Sequence, residues 1–360
     1  MLSSLFKRNK KPWKLYIEGR EEPVEVPPRT SVLQAALDNG IPFPHSCRAG
    51  GCGTCRCRLL EGRVRELTDK SFLLSAEELQ QNYILACQSL PRSDVRVRVD
   101  DLDLSAEAAA TVHPVVKTTG RIAATRRATH DILELTVDLD RPMAYTAGQY
   151  ADLSVPGVID HPRSFSFAAA PDGDAPARVV FQVRLLPDGV FSGWLSETDR
   201  VGRKVRVEGP HGDFWLRPSA APVLCLAGGT GMAPIKALLE QALRDGARRD
   251  VVYLFGARTQ HDLYCLDEMA ALERRWPADF RFVPVLSEES PTSDWEGRRG
   301  LVTEYLTESA LEVASRHIYM CGPTPMLDAA LGILAELGVA HDHIHFDKFL
   351  DRSHTAVLAG

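Results

Sequence analysis

The sequence predicts a multidomain chain that combines a small α+β domain, an antiparallel β-barrel and a doubly wound parallel α/β domain. Its 360 residues exceed what one ordinary hydrophobic core accommodates. Short strand-like runs separated by turn residues dominate from Val115 to about Arg217, as in a small barrel. From Pro222 onward, apolar strands alternate with helical stretches, and this alternation predicts a parallel sheet.

The first hundred residues have the pattern of the α+β domain. Residues 13–26 alternate apolar and polar positions around a turn and predict a β-hairpin. Residues 31–39 predict a short helix with Ser31 as its N-cap. Strand-like runs recur at 57–60 and 95–99. Residues 101–114 lose the alternation, gather alanine and acidic residues before a proline, and predict a linker.

The two larger domains are predicted from longer runs. The barrel strands are expected in ILELTVDL, QYADLSV, RSFSFAA, RVVFQVRLL and KVRVEGP. The parallel strands are expected in VLCLAGGTG, DVVYLFGAR, FRFVPVLS and RHIYMCGP, with helices in APIKALLEQALRDG and MLDAALGILAELG.

Composition narrows the class of protein. A 44% apolar and 25% charged content describes a globular chain and excludes a disordered one. The net charge of −6 argues against nucleic acid as the main partner. The start MLSSLFKRNKKPWK has no apolar core after its basic residues, so it is not a secretory signal. It predicts a solvated tail, and contact with an anionic membrane surface is the alternative.

Eight cysteines are few for a secreted disulfide scaffold of this size, and five of them fall between Cys47 and Cys87. This clustering predicts a metal or redox site in a reducing cytoplasm. Cys47, Cys52 and Cys55 have the spacing C-x4-C-x2-C, and Cys87 follows in LACQS. That is the spacing of a plant-type [2Fe–2S] cluster.

The glycines between these cysteines fit the same interpretation. Gly50, Gly51 and Gly53 let the backbone curl closely around a cluster, where side chains would clash. A structural zinc site and a set of ordinary buried thiols are the alternatives, but zinc modules usually present two short cysteine pairs. Cys57 lies outside the spacing and is predicted to be a core residue, like Cys225 and Cys265.

A second motif, Arg163-Ser164-Phe165-Ser166, follows a strand-like run and an Asp-His-Pro turn. An arginine there can fork onto a pyrophosphate, and a hydroxyl two or three residues later can reach a flavin ring nitrogen. The stretch PDGVFSGWL predicts a turn that enters a helix and places Ser192 beside a phosphate. A solvated strand residue explains R-x-x-S alone about as well.

A third motif, LCLAGGTGMAP, places Gly228, Gly229, Thr230 and Gly231 where a strand turns into a helix. Glycines at such a turn let backbone amides approach a pyrophosphate at the positive end of the helix. The motif is not G-x-G-x-x-G, so the ordinary Rossmann fingerprint is absent. A tight turn without a ligand is the alternative.

These motifs carry two resemblances, and their order along the chain carries a third. Residues 13–100 resemble a plant-type ferredoxin domain, which implies a β-grasp fold. A second resemblance, to the ferredoxin–NADP reductase superfamily, rests on the order of three features. These are the R-x-F-S motif, the Gly-x-x-Ser turn and the strand–helix domain with G-G-T-G-x-A-P. Taken together, the segments resemble the reductase components of bacterial multicomponent oxygenases. The resemblance implies a [2Fe–2S] cluster, FAD and NADH as cofactors.

The resemblance also implies roles for residues of this sequence. FAD would be held by Arg163, with Ser164 beside it, Phe165 near the ribityl chain, Ser166 near N5 and Ser192 at the pyrophosphate. The family commonly has a tyrosine at the position of Phe165 and a glycine at that of Asp188. Phe349 would cover the flavin face, and a core aromatic in a terminal strand is the alternative. His161 is expected to be a turn residue.

The coenzyme side follows from the same resemblance. Cys321, Gly322 and Pro323 would form the turn beside the nicotinamide, and Ser166, Thr230 and Cys321 are the candidate catalytic residues. Arg258 would approach the adenosine ribose. Ala257 in place of a serine favours NADH over NADPH, but Arg258 remains available to a phosphate.

The expected organisation is a ferredoxin domain over 12–104, a linker over 105–114, an FAD-binding barrel over 115–218 and an NAD(P)H-binding domain over 219–360. The resemblance implies a cytoplasmic monomer that passes electrons from NADH through FAD and the cluster to a terminal oxygenase, an aromatic or alkyl side-chain hydroxylase. A membrane-bound diiron partner would bring it to the inner membrane. A Rieske dioxygenase, a deoxysugar dehydratase, a redox sensor or a zinc-stabilised binding module are the alternatives.

Overall fold

The computed structural model describes residues 11–100, 102–159, 161–197, 199–308 and 311–350. Along the chain it divides into two compact units between Val112 and His113. Most of the predicted solvated tail, residues 1–10, lies outside the described residues, as do Asp160 of the predicted Asp-His-Pro turn and the C-terminal residues 351–360.

The first unit is a mixed sheet with short helices. Its order is β2-β1-β7-β3-β5, with β1 and β7 parallel and the other pairs antiparallel, while β4 pairs separately with β6. This β-grasp arrangement confirms the predicted α+β class. The elements are β1 (Trp13–Ile17), β2 (Val24–Val26), α1 (Val32–Asp38), β3 (Arg56–Glu61), β4 (Val64–Glu66), α2 (Ala76–Gln80), β5 (Tyr83–Leu85), β6 (Ser89–Pro91), β7 (Val95–Arg98) and α3 (Ala106–Ala110).

Helix α1 begins where the sequence predicts. The Ser31 hydroxyl accepts a hydrogen bond from the Gln34 backbone N–H at 3.1 Å, which satisfies one of the free donors of the first turn. Its buried face belongs to the same apolar core as the alternate residues Leu15 and Ile17 of β1. The predicted hairpin is the antiparallel pair β1–β2.

The segment predicted as a linker contains a helix. The Ser105 hydroxyl caps α3 by accepting from the Ala108 N–H at 3.2 Å, and Ala108 is buried. An alanine-rich stretch after a capping serine favours a helix because alanine has the best helix propensity. The boundary between the two units falls directly after this helix.

The second unit begins with an antiparallel sheet of order β11-β10-β13-β8-β9-β12. A bridge between Phe167 and Phe181 joins its first and last strands, so the sheet closes into a barrel around an apolar core. This confirms the predicted barrel. Its elements are β8 (Val116–Arg127), β9 (Ile132–Leu139), β10 (Tyr150–Ser154), β11 (Arg163–Ser166), β12 (Arg178–Arg184), α4 (Val190–Glu197) and β13 (Lys204–His211).

The longest barrel strand, β8, is missing from the predicted strands. Its burial does not alternate, because few of its residues are apolar and a register shift falls between Ile122 and Ala124. It is a strand because β13 and β9 pair with it on both sides. Pairing with neighbours overrides its weak pattern.

The rest of the second unit is a parallel sheet of order β17-β16-β15-β14-β18-β19, as predicted. The order reverses at β14, so a crevice opens at the carboxyl ends of β14 and β18, where open α/β sheets bind ligands. The elements are β14 (Val223–Gly228), α5 (Met232–Arg244), β15 (Val251–Ala257), α6 (Leu266–Arg275), β16 (Phe280–Leu286), β17 (Arg298–Arg299), β18 (His317–Pro323), α7 (Thr324–Glu336) and β19 (Ile344–Phe349).

Strand β14 shows why this sheet is covered on both faces. Val223 and Cys225 point into the core formed with α5 and α6, and Leu224 and Leu226 point into the core formed with α7. All of these side chains are buried, as expected for a central parallel strand. Among the residues that the structure describes, none of the helices combines the length and the apolar character needed to span a bilayer.

Three histidines stack near the starts of β18 and β19, at the amino ends of these strands. The His317 ring lies 4.5 Å from that of His343 and 5.8 Å from that of His345, which stacks at 4.7 Å on Tyr319. Within the described part of the chain, His317 Nδ1, His343 Nδ1 and His345 Nε2 are buried without a hydrogen-bond partner. Burial, aided by nearby Arg249, lowers the pKa of His317 to about 4. Burial, aided by Arg217, lowers that of His345 to about 2.

We therefore expect the free energy of unfolding to fall as the pH drops from about 6.5 to 4. The unfolded chain takes up protons on His317 and His345 at about pH 6.5, whereas the folded chain keeps these two side chains neutral until lower pH. Urea unfolding at pH 7.5 and pH 5 measures the difference. His345→Phe, which keeps a ring against Tyr319, should reduce it. An equally steep loss of stability in that variant would contradict the assignment.

Candidate functional site: a thiol loop, a barrel rim and a nucleotide cavity

The four cysteines of the C-x4-C-x2-C motif and LACQS come together at one end of the first unit. Because β3 pairs with β5 in the register Arg56↔Leu85, the adjoining Cys55 and Cys87 are neighbours. Their thiols hydrogen-bond each other, as do those of Cys47 and Cys52. The hydrogen bond and burial raise the pKa of the Cys47 thiol and of the Cys55 thiol. The same hydrogen bonds lower the pKa of their partners, Cys52 and Cys87.

The backbone around these thiols forms a cradle. The N–H groups of Ala49 and Gly51 both point at the Cys47 sulfur at 3.4 Å, and the Gln88 side-chain amide lies 3.7 Å from the Cys87 sulfur. Gly50 has a φ of +79°, and a Cβ there would lie 2.8 Å from the Gln88 side chain. Four thiols surrounded by N–H donors fit a thiolate-bound metal cluster, whose negative sulfurs such donors stabilise.

Cys57 is separate from this set. It is fully buried on β3, and burial raises its pKa. Cys225 and Cys265 are also buried, and all eight cysteines, each within the described residues, are free thiols. The structure therefore brings together the four predicted ligands and places the other cysteines in cores.

The R-S-F-S motif forms β11 on the barrel rim. Pairing with β10 in the register Leu153↔Arg163 puts Arg163 and Phe165 on one face and Ser164 and Ser166 on the other. The Arg163 guanidinium donates to the carbonyls of His161 and Pro162 at 2.9 and 3.1 Å. The Ser164 hydroxyl donates to Asp152 at 2.7 Å, and Ser166 is buried.

The PDGVFSGWL stretch enters α4 as predicted, and it packs beside β11. The ring centroids of Phe165 and Phe191 lie 5.1 Å apart. The buried Ser192 hydroxyl fastens its own turn: it accepts from the Leu186 N–H at 3.0 Å and lies 3.2 Å from the Gly189 carbonyl. Its contact with a phosphate stays a prediction. A Cβ at Gly189 would lie 2.1 Å from that hydroxyl, so a side chain there would displace it from its hydrogen bonds.

The glycines of the G-G-T-G and C-G-P turns lie against each other at the crevice between β14 and β18. A Cβ at Gly231 would lie 2.1 Å from the Cys321 carbonyl oxygen, and one at Gly228 would lie 2.8 Å from the Met326 sulfur. Gly322 has a φ of +147° and packs against the Gly228 backbone. This close approach lets α5 begin directly behind the crevice.

A cavity of about 400 Å³ lies at this edge of the sheet. Of the predicted coenzyme-binding residues, Gly228, Gly229, Arg258 and Pro323 line it. Cys321 is fully buried behind it, and burial raises the pKa of its thiol well above the usual range, so the thiol stays neutral. Thr230 is half-buried in the turn between β14 and α5.

Phe349 lies beside the C-G-P turn because β19 pairs with β18 in the register Pro323↔Phe349. Its carbonyl accepts from the Thr324 hydroxyl at 3.3 Å, and its half-buried ring packs against the core under β14. The structure thus brings this C-terminal aromatic to the crevice that the glycine turns form.

The structure adds charged residues that the sequence analysis missed. Asp131, from the turn before β9, accepts hydrogen bonds from Arg184 and Arg258 at 2.9 Å each, and Arg258 also donates to Asp262 at 2.5 Å. All four line the cavity. Although burial alone raises the pKa of Asp131, the Arg184 and Arg258 guanidinium groups hold it below its usual range. No local pattern reveals this network, since Asp131 and Arg258 are 127 residues apart.

A second missed contact ties the barrel to the glycine turn. The Tyr264 hydroxyl lies 2.9 Å from the Gln182 side-chain oxygen and 3.0 Å from the Gly229 carbonyl. Gln182 belongs to β12 of the barrel and also donates to the Cys265 sulfur at 3.5 Å. Both Gln182 and Tyr264 are buried, and the single hydroxyl hydrogen of Tyr264 is shared between these two oxygens, which links Gly229 to the barrel.

Three family models match the chain in the order of these sites. They are the 2Fe-2S iron-sulfur cluster binding domain over residues 15–92, the oxidoreductase FAD-binding domain over 119–215 and the oxidoreductase NAD-binding domain over 225–331. They confirm the predicted cofactors, the cluster, FAD and a nicotinamide coenzyme. The match of the thiol loop favours the iron–sulfur interpretation over the zinc alternative.

Curated relatives match the chain along nearly its whole length. The xylene/toluene monooxygenase electron transfer component of Pseudomonas putida is 43% identical over 93% of each chain. Stretches such as FPHSCRAGGCGTC predict this likeness, and the comparison confirms it. The reductase component of propane 2-monooxygenase from a Gordonia species is 34% identical over 93% of this chain and 96% of its own.

Solved structures agree with the fold. A cytochrome P450 reductase from Amycolatopsis superimposes with a TM-score of 0.78 at 33% identity, covering 94% of this chain and 98% of its own. The ferredoxin reductase of carbazole 1,9a-dioxygenase has a TM-score of 0.70 at 30% identity with the same coverage. The chain therefore belongs to the family of reductase, or electron transfer, components of oxygenase systems, which join a 2Fe-2S ferredoxin domain to FAD-binding and NAD-binding domains.

Proposed function

We propose that this chain oxidises NADH and delivers the electrons singly to the terminal oxygenase of a system that hydroxylates an aromatic ring or an alkyl side chain. The observation that carries the proposal is the presence, in one chain, of a nucleotide cavity beside glycine turns, a barrel rim and a four-thiol loop. When bound, FAD and the cluster supply the conversion of one hydride into two single electrons.

Each part of the chain has a proposed task. FAD is held by the residues of β11, which are Arg163, Ser164, Phe165 and Ser166, and by the start of α4. Ser192 stabilises the turn before that helix. Since the Ser192 hydroxyl fastens the turn, its contribution is to position the N-terminus of α4, whose positive end favours a pyrophosphate. Phe349 covers the ring face of the bound flavin. The proposed domain boundaries are 12–104, 105–114, 115–218 and 219–360.

On the coenzyme side, the pyrophosphate of NADH is bound by the backbone N–H groups of the G-G-T-G turn, Gly228, Gly229, Thr230 and Gly231. The nicotinamide is bordered by the C-G-P turn, Cys321, Gly322 and Pro323. Because its thiol is buried and neutral, Cys321 shapes the site and does not transfer a proton. The coenzyme is NADH: Ala257 offers no hydroxyl, and the Arg258 charge is balanced by Asp131 and Asp262.

On the acceptor side, Cys47, Cys52, Cys55 and Cys87 hold the cluster, and the N–H groups of Ala49 and Gly51 stabilise the negative charge on its sulfur ligands. We propose that the chain acts as a monomer in the cytoplasm and that its partner is a diiron hydroxylase at the membrane. The 43% identity to the xylene/toluene monooxygenase component supports a monooxygenase over a dioxygenase, whose reductases in naphthalene systems are 31–33% identical.

Anaerobic titration with NADH, followed by visible absorbance and EPR, tests the proposal. Uptake of about three electrons per chain, two by the flavin and one by the cluster, with a rhombic EPR signal is the expected result. Added alkylbenzene monooxygenase should then give substrate-dependent NADH oxidation, whereas a naphthalene dioxygenase should not. Colourless protein that holds zinc and no iron would overturn the proposal, and coupling only to the dioxygenase would overturn the assigned partner.

A further inference from the structure

The end of β15 carries an ion-pair network whose members come from two domains of the second unit. Arg258 and Asp262 follow β15 in the parallel-sheet domain, and Asp131 and Arg184 belong to the barrel. One nitrogen of Arg258 donates to both carboxylates, to Asp131 at 2.9 Å and to Asp262 at 2.5 Å. The Asp131 side chain is 16% exposed and the Arg258 side chain is 41% exposed, so solvent screens this ion pair in part.

The position of this network in the sheet indicates which part of the coenzyme it would contact. In doubly wound sheets, the residues after the second strand meet the adenosine ribose: an acidic side chain there hydrogen-bonds the 2′-hydroxyl, and an arginine accommodates a 2′-phosphate. Strand β15 is the second strand of this sheet, next to β14, and its end lines the cavity together with Gly228 and Gly229. Arg258 therefore stands where an arginine would accept NADPH.

The carboxylates of Asp131 and Asp262 reduce the ability of Arg258 to bind a 2′-phosphate. An incoming 2′-phosphate would have to displace Asp131 and Asp262 from the guanidinium group, and it would be repelled by both of them. A 2′-hydroxyl faces no such repulsion and can donate to a carboxylate. Asp262 also accepts from the backbone and hydroxyl of Thr259, which fixes it at the end of β15.

We propose that Asp131, contributed by the barrel, selects NADH by neutralising Arg258 at the adenosine end of the cavity. The inference rests on the proposed function, since it assigns a specificity-determining residue to the coenzyme cavity. It differs from the usual arrangement because the selecting carboxylate comes from the flavin-binding barrel and not from the nucleotide-binding domain itself.

Calorimetric titration of the FAD-loaded protein with ADP-ribose and with 2′-phospho-ADP-ribose tests the proposal without turnover. In Asp131→Asn, the affinity for the 2′-phosphorylated ligand relative to ADP-ribose should rise about tenfold. The ratio of kcat/KM for NADPH and NADH, with ferricyanide as acceptor, should rise in parallel. Asp262→Asn should act in the same direction while leaving the link between barrel and sheet intact.

Two further variants make the test specific. Asp131→Asn combined with Arg258→Ala should lose the gain, because the released charge is then absent. Asp138→Asn is the matched control: Asp138 lies on β9, the strand that directly follows Asp131, and pairs with Arg178 on the barrel surface, so the change should leave both ratios as in the wild type.

The outcomes separate the inference from the proposed function. Wild-type protein that binds neither ligand would overturn the coenzyme cavity and the inference together. Tight binding of ADP-ribose, with an unchanged ratio in folded Asp131→Asn, would overturn the inference alone, whatever the ratio in Asp262→Asn. A gain that persists without Arg258 would also overturn it.

Discussion

Replacing Cys87 by serine is expected to abolish the EPR signal of the reduced protein while NADH still reduces ferricyanide at nearly the wild-type rate. Cys87 is one of four thiols in the cradle and the hydrogen-bond partner of Cys55. Changes beside a metal ligand already cost about 10- to 100-fold in metal affinity or activity, and loss of the ligand itself should cost more. The FAD-binding and NAD-binding matches lie within the second unit, whose own cores do not include Cys87.

Iron analysis, EPR after anaerobic reduction and cytochrome c reduction measure the effect. Iron should be lost, and cytochrome c reduction should fall by more than about 100-fold if the single electrons leave through the cluster. Cys57→Ala is the matched control, because Cys57 is a buried thiol of the same sheet outside the cradle. It should retain iron and signal. Full iron content and an unchanged spectrum in Cys87→Ser would refute the ligand assignment.

Replacing Gly231 by alanine is expected to abolish flavin reduction by NADH and to lower the free energy of unfolding by about 3 kcal/mol. The added Cβ would lie 2.1 Å from the Cys321 carbonyl oxygen and 2.6 Å from its carbon. Since both are backbone atoms of β18, no side chain can rotate away. The G-G-T-G turn must therefore move away from the C-G-P turn, and the crevice between them changes shape.

Stopped-flow flavin absorbance and urea unfolding measure the two effects, and retained FAD absorbance shows that the barrel is intact. Gly332→Ala provides the control. Gly332 is exposed on α7, where nothing lies within 4 Å of an added Cβ, so alanine should stabilise the helix by about 0.5–1 kcal/mol. Rapid flavin reduction in Gly231→Ala would show that close contact of the two turns is not needed.

The sequence by itself determined the fold class and the cofactors. The cluster-binding domain and its candidate ligands could be predicted because Cys47, Cys52 and Cys55 lie within nine residues and the C-x4-C-x2-C spacing is specific. The helix at Ser31 and the turn into α4 follow from local capping and turn chemistry. The alternation of strands and helices sufficed for the parallel sheet because chain order dictates its crossovers.

Only the tertiary structure decided what several of these residues contact. It buried the Cys321 thiol, engaged the Ser192 hydroxyl in its own turn and made a strand of the weakly patterned β8. It also paired Arg258, which the sequence left available to a phosphate, with Asp131 of the barrel. The physical reason is that burial and ion pairing depend on segments distant along the chain, whereas capping, turn and ligand spacing act within a few residues.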